Sequence, residues 1–193
     1  MKTVVIATGN KHKVEEFRQI LEPAGFQVLS AADCGGMPEV EEDGQTFREN
    51  AAKKALATAK ALNQTVIADD SGLEVEALNG APGIHSARYA GEGGNDGRNL
   101  AKLLDKLVGV EDRGARFVCV LAVATPQGEI KFAEGEVRGR IALQACGQGG
   151  FGYDPAFIPA GYERTFGELS QEIKNILSHR GRAIRNALEA GII

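Results

Sequence analysis

An α/β fold built on a mixed β-sheet is predicted for this chain, and three observations carry the prediction. Thr3–Ala7 is a short apolar run, and Val14, Phe17, Ile20 and Leu21 then recur at helical spacing, which is a strand–loop–helix start. Phe117–Ala124 is the most apolar run in the chain, and its β-branched content suits a central strand covered on both faces. Behind the turn residues Pro126-Gln127-Gly128, Glu129–Ile141 alternates charged and apolar residues, the pattern of a hairpin partner with one wet face. Two long antiparallel strands beside a strand–helix–strand start make the sheet mixed.

A length of 193 residues fits one domain spanning 1–193, or two closely packed lobes, with a sizeable core. No long linker or fixed-period repeat interrupts it. The 43% hydrophobic and 25% charged content is ordinary for a soluble globular protein, whereas the 25 glycines are numerous and gather in a few loops, where ligand contacts are expected. Net charge is -4 and no basic run concentrates the Lys and Arg residues, which argues against a nucleic-acid or anionic-membrane surface. A phosphate ligand remains compatible, because a few local cations act within a Debye length of roughly 8 Å. The apolar run after Met1-Lys2-Thr3 is too short for a signal peptide or membrane span, so a cytoplasmic protein is expected. Cys34, Cys119 and Cys146 have no C-x-x-C spacing and read as reduced structural thiols.

The first junction is Thr8-Gly9-Asn10-Lys11-His12-Lys13. Gly9 lets the backbone turn, Asn10 is placed to cap the helix, and Lys13 lies in its first turn, beside N–H groups and dipole that suit a phosphate. A plain capped turn is an equal reading. Gln27–Ser30 suggests a short second strand, followed by the irregular acidic segment Met37–Gly44, whose Glu39, Glu41, Glu42 and Asp43 make either a solvated loop or a source of cation ligands. Thr46 and Glu49 match a capping box, and Phe47, Ala51, Ala55, Ala59 and Leu62 line one face of a helix ending near Asn63. Asn50, Lys53 and Lys54 form either a polar cluster one turn inside that helix or, more simply, a solvated face.

Asp69-Asp70-Ser71 follows the apolar run Val66-Ile67-Ala68. Adjacent aspartates are poor strand formers and repel one another, so the stretch is either an acidic turn or a place for a divalent cation. Leu73–Leu78 alternates apolar and acidic residues, which predicts a turn at Ser71-Gly72 and then a half-exposed strand. Asn79–Gly83 reads as a turn, and Leu100, Leu103, Leu104 and Leu107 make the core stripe of a helix opened by Asn95 or Asp96. In Gly147–Pro155 the glycines allow close backbone approach, while Phe151 and Tyr153 offer stacking faces. Ser170 is placed to cap a short helix and Ser178 the last one, Ala183 to Ala190. His179 and Arg180 then fall on its N-terminal turn, where Arg180 opposes the helix dipole and suits an anion or a base carbonyl.

Six motifs in order then carry a resemblance over essentially the whole chain: T-G-N-x-x-K (Thr8–Lys13), F-x-E-N-A-x-x-K-A (Phe47–Ala55), D-D-S-G-L (Asp69–Leu73), G-A-P-G with S-A-R-Y-A-G (Gly80–Gly91), G-G-F-G-Y-D-P (Gly149–Pro155) and K-N-x-x-S-H-R (Lys174–Arg180). Together they resemble the inosine triphosphate pyrophosphatase family, which hydrolyses non-standard purine nucleoside triphosphates. Gly167 departs from the alanine common in the family's F-A-E-L. The resemblance implies an elongated mixed sheet flanked by helices, two lobes around a central active-site cleft, and a homodimer. It implies that Thr8, Gly9, Asn10, Lys11, His12 and Lys13 hold the triphosphate, that Asp70 is catalytic, and that Ser71 touches substrate. Phe151, Gly152, Tyr153, Asp154, Lys174, His179 and Arg180 would hold the nucleoside and phosphates. Mg²⁺ would be bound by Asp70 and by one residue of the acidic loop, Glu41 in preference to Glu42.

That assignment makes chemical sense. A triphosphate-bound Mg²⁺ needs few protein carboxylates, since phosphates and water complete its octahedron. Asp70 would accept a proton from, or orient, water attacking the α-phosphorus, giving a nucleoside monophosphate and pyrophosphate from ITP, dITP or XTP. Donors from Arg180 or protonated His179 would meet the 6-oxygen of hypoxanthine or xanthine and leave the 6-amino group of adenine unpaired.

Overall fold

The structure, a computed structural model, describes residues 2–193. Its six strands form one sheet in the order β2-β1-β3-β4-β5-β6, with β1 Lys2–Ile6, β2 Phe26–Ser30, β3 Val66–Val75, β4 Gly114–Ala124, β5 Ile130–Ile141 and β6 Phe157–Pro159. β1 pairs in parallel with β2 and β3, and β5 pairs antiparallel with β6, so the sheet is mixed. The helices are α1 Lys11–Leu21, α2 Phe47–Leu62, α3 Asp96–Lys106, α4 Gln171–Leu177 and α5 His179–Glu189.

Local chemistry explains most boundaries. Asn10 caps α1 by accepting the N–H groups of His12 and Lys13. Thr46 caps α2 by accepting the Glu49 N–H, while the Glu49 carboxylate accepts the N–H of Gln45, one residue upstream of the usual capping-box partner. Asn63 ends α2 in the left-handed conformation with φ 52°. Asn95 caps α3 and Ser170 caps α4.

Three elements differ from the sequence expectation. β3 runs unbroken through Ser71-Gly72, with Leu73 and Val75 fully buried, because pairing and burial on both faces override the turn signal of Ser-Gly. The last helix begins at His179 rather than Ala183. The three-residue β6 was not foreseen, being too short to show a period.

By contacts the chain divides into two compact units. The first comprises Met1–Asp70, Cys119–Gly135 and Arg180–Ile193; its core gathers Val4, Ile6, Phe17, Leu21, Ile67 and Leu121 with Ile184 of α5. The second comprises Ser71–Val118 and Glu136–His179, with a core of Leu73, Leu103, Phe117, Val137, Phe157 and Phe166. The three cysteines are free, and no described helix is long and apolar enough to cross a membrane.

Candidate active site

Strand alternation decides what the adjacent aspartates do. Successive strand side chains point to opposite faces, so Asp69 and Asp70 enter different surroundings. Asp69 Oδ2 accepts Lys13 Nζ at 2.9 Å and Arg180 Nη2 and Nε at 3.0 and 3.3 Å. The same guanidinium donates Nη1 to Glu16 of α1. Arg180 is only 2% exposed, so Glu16 and Asp69 balance the charges of Lys13 and Arg180 within the interior. Burial pushes the Asp69 carboxyl up, but Lys13, Arg180 and Lys54 overcome it and hold the group well below the ordinary carboxylate range.

Asp70 Oδ1 lies 3.7 Å from Lys54 Nζ, which donates at 3.1 Å to Glu42 Oε2. Burial raises the Asp70 carboxyl above its ordinary value; Lys54 opposes this, while Glu42 and Asp69 add to it. Two sequence neighbours thus have proton affinities driven apart, one locked in its ionised form and one made more basic, which is how acid–base roles are divided. The acidic loop is pinned by Asn50, whose Oδ1 accepts the Gly44 N–H at 2.8 Å. A Cβ on residue 44 would lie 2.5 Å from that oxygen, so only glycine permits the approach. Among the described residues no group of three or more His, Cys, Asp and Glu side chains could hold a metal ion.

In the second unit, Asp154 Oδ2 accepts Lys174 Nζ at 2.6 Å and the Phe151 N–H at 2.9 Å, both charges being buried. Lys174 Nζ also lies 4.7 Å from the centre of the Phe151 ring. Gly150, at φ 71°, presses against the Asp154 carboxylate where any Cβ would collide. The Gly152 N–H donates to Asp96 at the start of α3, and the Tyr153 hydroxyl donates to the Ser86 carbonyl. His179 stacks on Phe117 with centroids 4.7 Å apart and planes 11° apart.

The structure brings Lys13, Asp69 and Arg180 into one network with Glu16, Asp70 into a second with Lys54 and Glu42, and Phe151, Asp154 and Lys174 into a third. Thr8 accepts the Asn10 N–H; Gly9, Lys11 and His12 are exposed and Ser71 is half-buried. Two expectations change. Tyr153 is buried in the core and offers no exposed stacking face, because its hydroxyl reaches a backbone carbonyl. Arg180 spends its guanidinium on Asp69 and Glu16 rather than facing a base, which also explains a cation on a first helical turn. Within the acidic loop it is Glu42 that meets Lys54 near Asp70, while Glu41 is exposed. Sequence reasoning also left Lys54 on a solvated face and overlooked Glu16. The available signal was spacing: Lys54 follows the buried Asn50 by four residues, and Glu16 follows Lys13 by three.

The Ham1 family profile matches residues 4–190. A dITP/XTP pyrophosphatase of Desulforamulus reducens is 53% identical over 96% of this chain and 94% of its own length; that of Bacillus subtilis is 51% identical over the same shares. Among solved structures, the Staphylococcus aureus Ham1 protein superposes with a TM-score of 0.86 at 47% identity, covering 100% of both chains. A nucleoside-triphosphatase, or dITP/XTP pyrophosphatase, of Mycobacterium abscessus gives 0.76 at 44% identity, covering 96% of this chain and 98% of its own. Motif order, full-length identity and fold agree, and the chain belongs to the Ham1 family.

Proposed function

We propose that the 193 residues act as one domain that hydrolyses ITP, dITP and XTP to the monophosphate and pyrophosphate. Relatives about half identical over nearly the whole chain are named dITP/XTP pyrophosphatases, and the divided surroundings of Asp69 and Asp70 are the observation that carries the reading. Asp70 takes a proton from the attacking water, a task helped by its raised affinity and typically worth roughly 10² to 10⁴-fold. Lys54, held between Glu42 and Asp70, and Lys13, held on Asp69, supply positive charge to phosphate oxygens as the leaving pyrophosphate gains charge.

A magnesium ion fits the donor set. Asp70 and Glu42 offer hard carboxylate oxygens around a point that already favours positive charge, and a pair leaves room for phosphate and water ligands. When bound, Mg²⁺ would offset phosphate charge and help orient water. His179 is the proposed donor to the 6-oxo group and Phe151 the stacking surface, with Lys174 a further contact to the nucleoside or phosphates; Thr8–Lys13 and Ser71 contact phosphates. A site built around such hydrogen bonds rejects an analogue that cannot make them by roughly 10⁴ to 10⁵-fold. We further expect a cytoplasmic homodimer.

The test is pyrophosphate release from ITP, dITP, XTP, GTP and ATP, with Mg²⁺ or EDTA, for the wild type and Asp70→Asn. Strong preference for ITP and XTP, loss in EDTA and near-complete loss in Asp70→Asn are expected. Equal turnover of ATP, or an active Asp70→Asn protein, overturns the reading.

A further inference from the structure

Ser86 takes no part in the chemistry above, yet three hydrogen bonds meet on it inside the second unit. Its Oγ accepts the Leu73 N–H at 2.9 Å and donates to the Gly83 carbonyl at 2.6 Å; its own carbonyl accepts the Tyr153 hydroxyl at 2.7 Å. Leu73 and Tyr153 belong to different parts of the chain, the first to β3 and the second to the loop that carries Phe151 and Asp154. A side-chain oxygen here does what a strand carbonyl ordinarily does, since buried backbone N–H groups require an acceptor. Nearby, the Val75 N–H similarly goes to the Ala81 carbonyl rather than to a strand of the sheet.

The segment bearing Ser86 is itself fixed. Asn99 of α3, almost fully buried, accepts the Ala90 N–H at 2.7 Å and donates to the Ala87 carbonyl at 3.0 Å. Lys102 donates to the Tyr89 carbonyl at 2.6 Å and lies over the Tyr89 ring. The Gly152 N–H is tied to Asp96 of the same helix. A displacement of loop 151–154 is therefore resisted by α3 and passed through Ser86 to β3, where Ser71 precedes Leu73 by two residues on the same face.

We propose that Ser86 is a positioning residue that couples the aromatic loop 151–154 to strand β3, so that a purine seated against Phe151 and Lys174 sets the placement of Ser71. This rests on the nucleotide reading above. Ser86→Ala removes the acceptor of Leu73, and Tyr153→Phe removes the donor to the Ser86 carbonyl.

Steady-state pyrophosphate release from ITP tests it with Ser86→Ala, Tyr153→Phe, the double variant and Ser86→Thr, alongside thermal unfolding of each. Both single variants are expected to lower kcat about tenfold, and the double variant no further than the worse single one, as for residues acting as a unit. Ser86→Thr, which keeps the hydroxyl, is expected to recover most of the loss. Multiplying losses in the double variant, or lower melting temperatures with unchanged kcat, overturn the coupling and leave Ser86 a purely structural residue. Wild-type protein that turns over no purine triphosphate would instead overturn the nucleotide reading. If Ser86→Ala does not fold, full kcat in Tyr153→Phe still overturns the coupling.

Discussion

Replacing each of the two neighbouring aspartates by asparagine should move stability in opposite directions. Asp69 is wholly buried and joins Lys13 and Arg180 through one carboxylate oxygen. Asparagine keeps its volume and removes its charge, leaving the buried Arg180 and the partly buried Lys13 without the carboxylate that joins them. Breaking a buried pair in this way costs about 3 to 5 kcal/mol. For a chain of this size 1 kcal/mol shifts the melting temperature by about 2 to 4 °C, so Asp69→Asn should melt roughly 6 to 20 °C lower. Asp70 carries the opposite sign. Its folded proton affinity is raised above the ordinary value, so at neutral pH its ionised form costs the native state stability, and Asp70→Asn should melt higher than wild type. Lys54 keeps Glu42 as a partner in that variant. Scanning calorimetry in EDTA at pH 7.5 checks both. Asp69→Asn melting with wild type, or Asp70→Asn losing as much as Asp69→Asn, would refute the division of roles.

The pH dependence follows with the same signs. Asp69 is depressed from 3.8, so its contribution is fully present at neutral pH and is lost as pH falls through and below that value; urea titrations should show a flatter acid limb in Asp69→Asn. Asp70, raised from 3.8, contributes the reverse slope just above that value, and Asp70→Asn should lack it. Glu42→Ala should weaken Mn²⁺ binding by about a hundredfold, the upper end of the loss typical of outer partners, whereas Glu41→Ala should change it little; spin-resonance titration of free Mn²⁺ distinguishes them. Glu16→Gln removes a charged partner of Arg180 and should cost about 1.5 to 3 kcal/mol, or roughly 3 to 12 °C, by thermal denaturation. Its kcat loss, like that of Arg180→Ala, should be equal for ITP and ATP, because Arg180 acts on Asp69 and not on the 6-position of the base.

The fold was largely legible because its signals are local. Asn10, Thr46 and Asn95 each cap the helix expected of them, and the periods of Phe117–Ala124 and Glu129–Ile141 match β4 and β5. Ser71-Gly72 misled because a turn propensity is a weak preference, and a strand buried along both faces outweighs it. In the site, the choice of Asp70 over Asp69 came from motif resemblance, whereas their differing surroundings needed Lys13, Arg180 and Lys54 in three dimensions. Glu16 was invisible for the same reason: its partner is 164 positions away in the chain. Lys54 looked solvated because lysine usually is, and only the juxtaposition of Glu42 and Asp70 accounts for its burial.

The charge network around Asp69 also bears on the order in which the molecule is made. Lys13 and Glu16 are synthesised early, Asp69 about a third of the way along and Arg180 near the end of the chain, yet all belong to the first unit. Until α5 emerges, Asp69 has Lys13 but not Arg180, Glu16 has no guanidinium, and Ile6 and Leu121 lack Ile184 as a core neighbour. The N-terminal part of the chain therefore cannot finish folding during its own synthesis. A ribosome-stalled chain ending before Arg180 should be cut by protease within α1 and α2, and protection should arrive with the final helix.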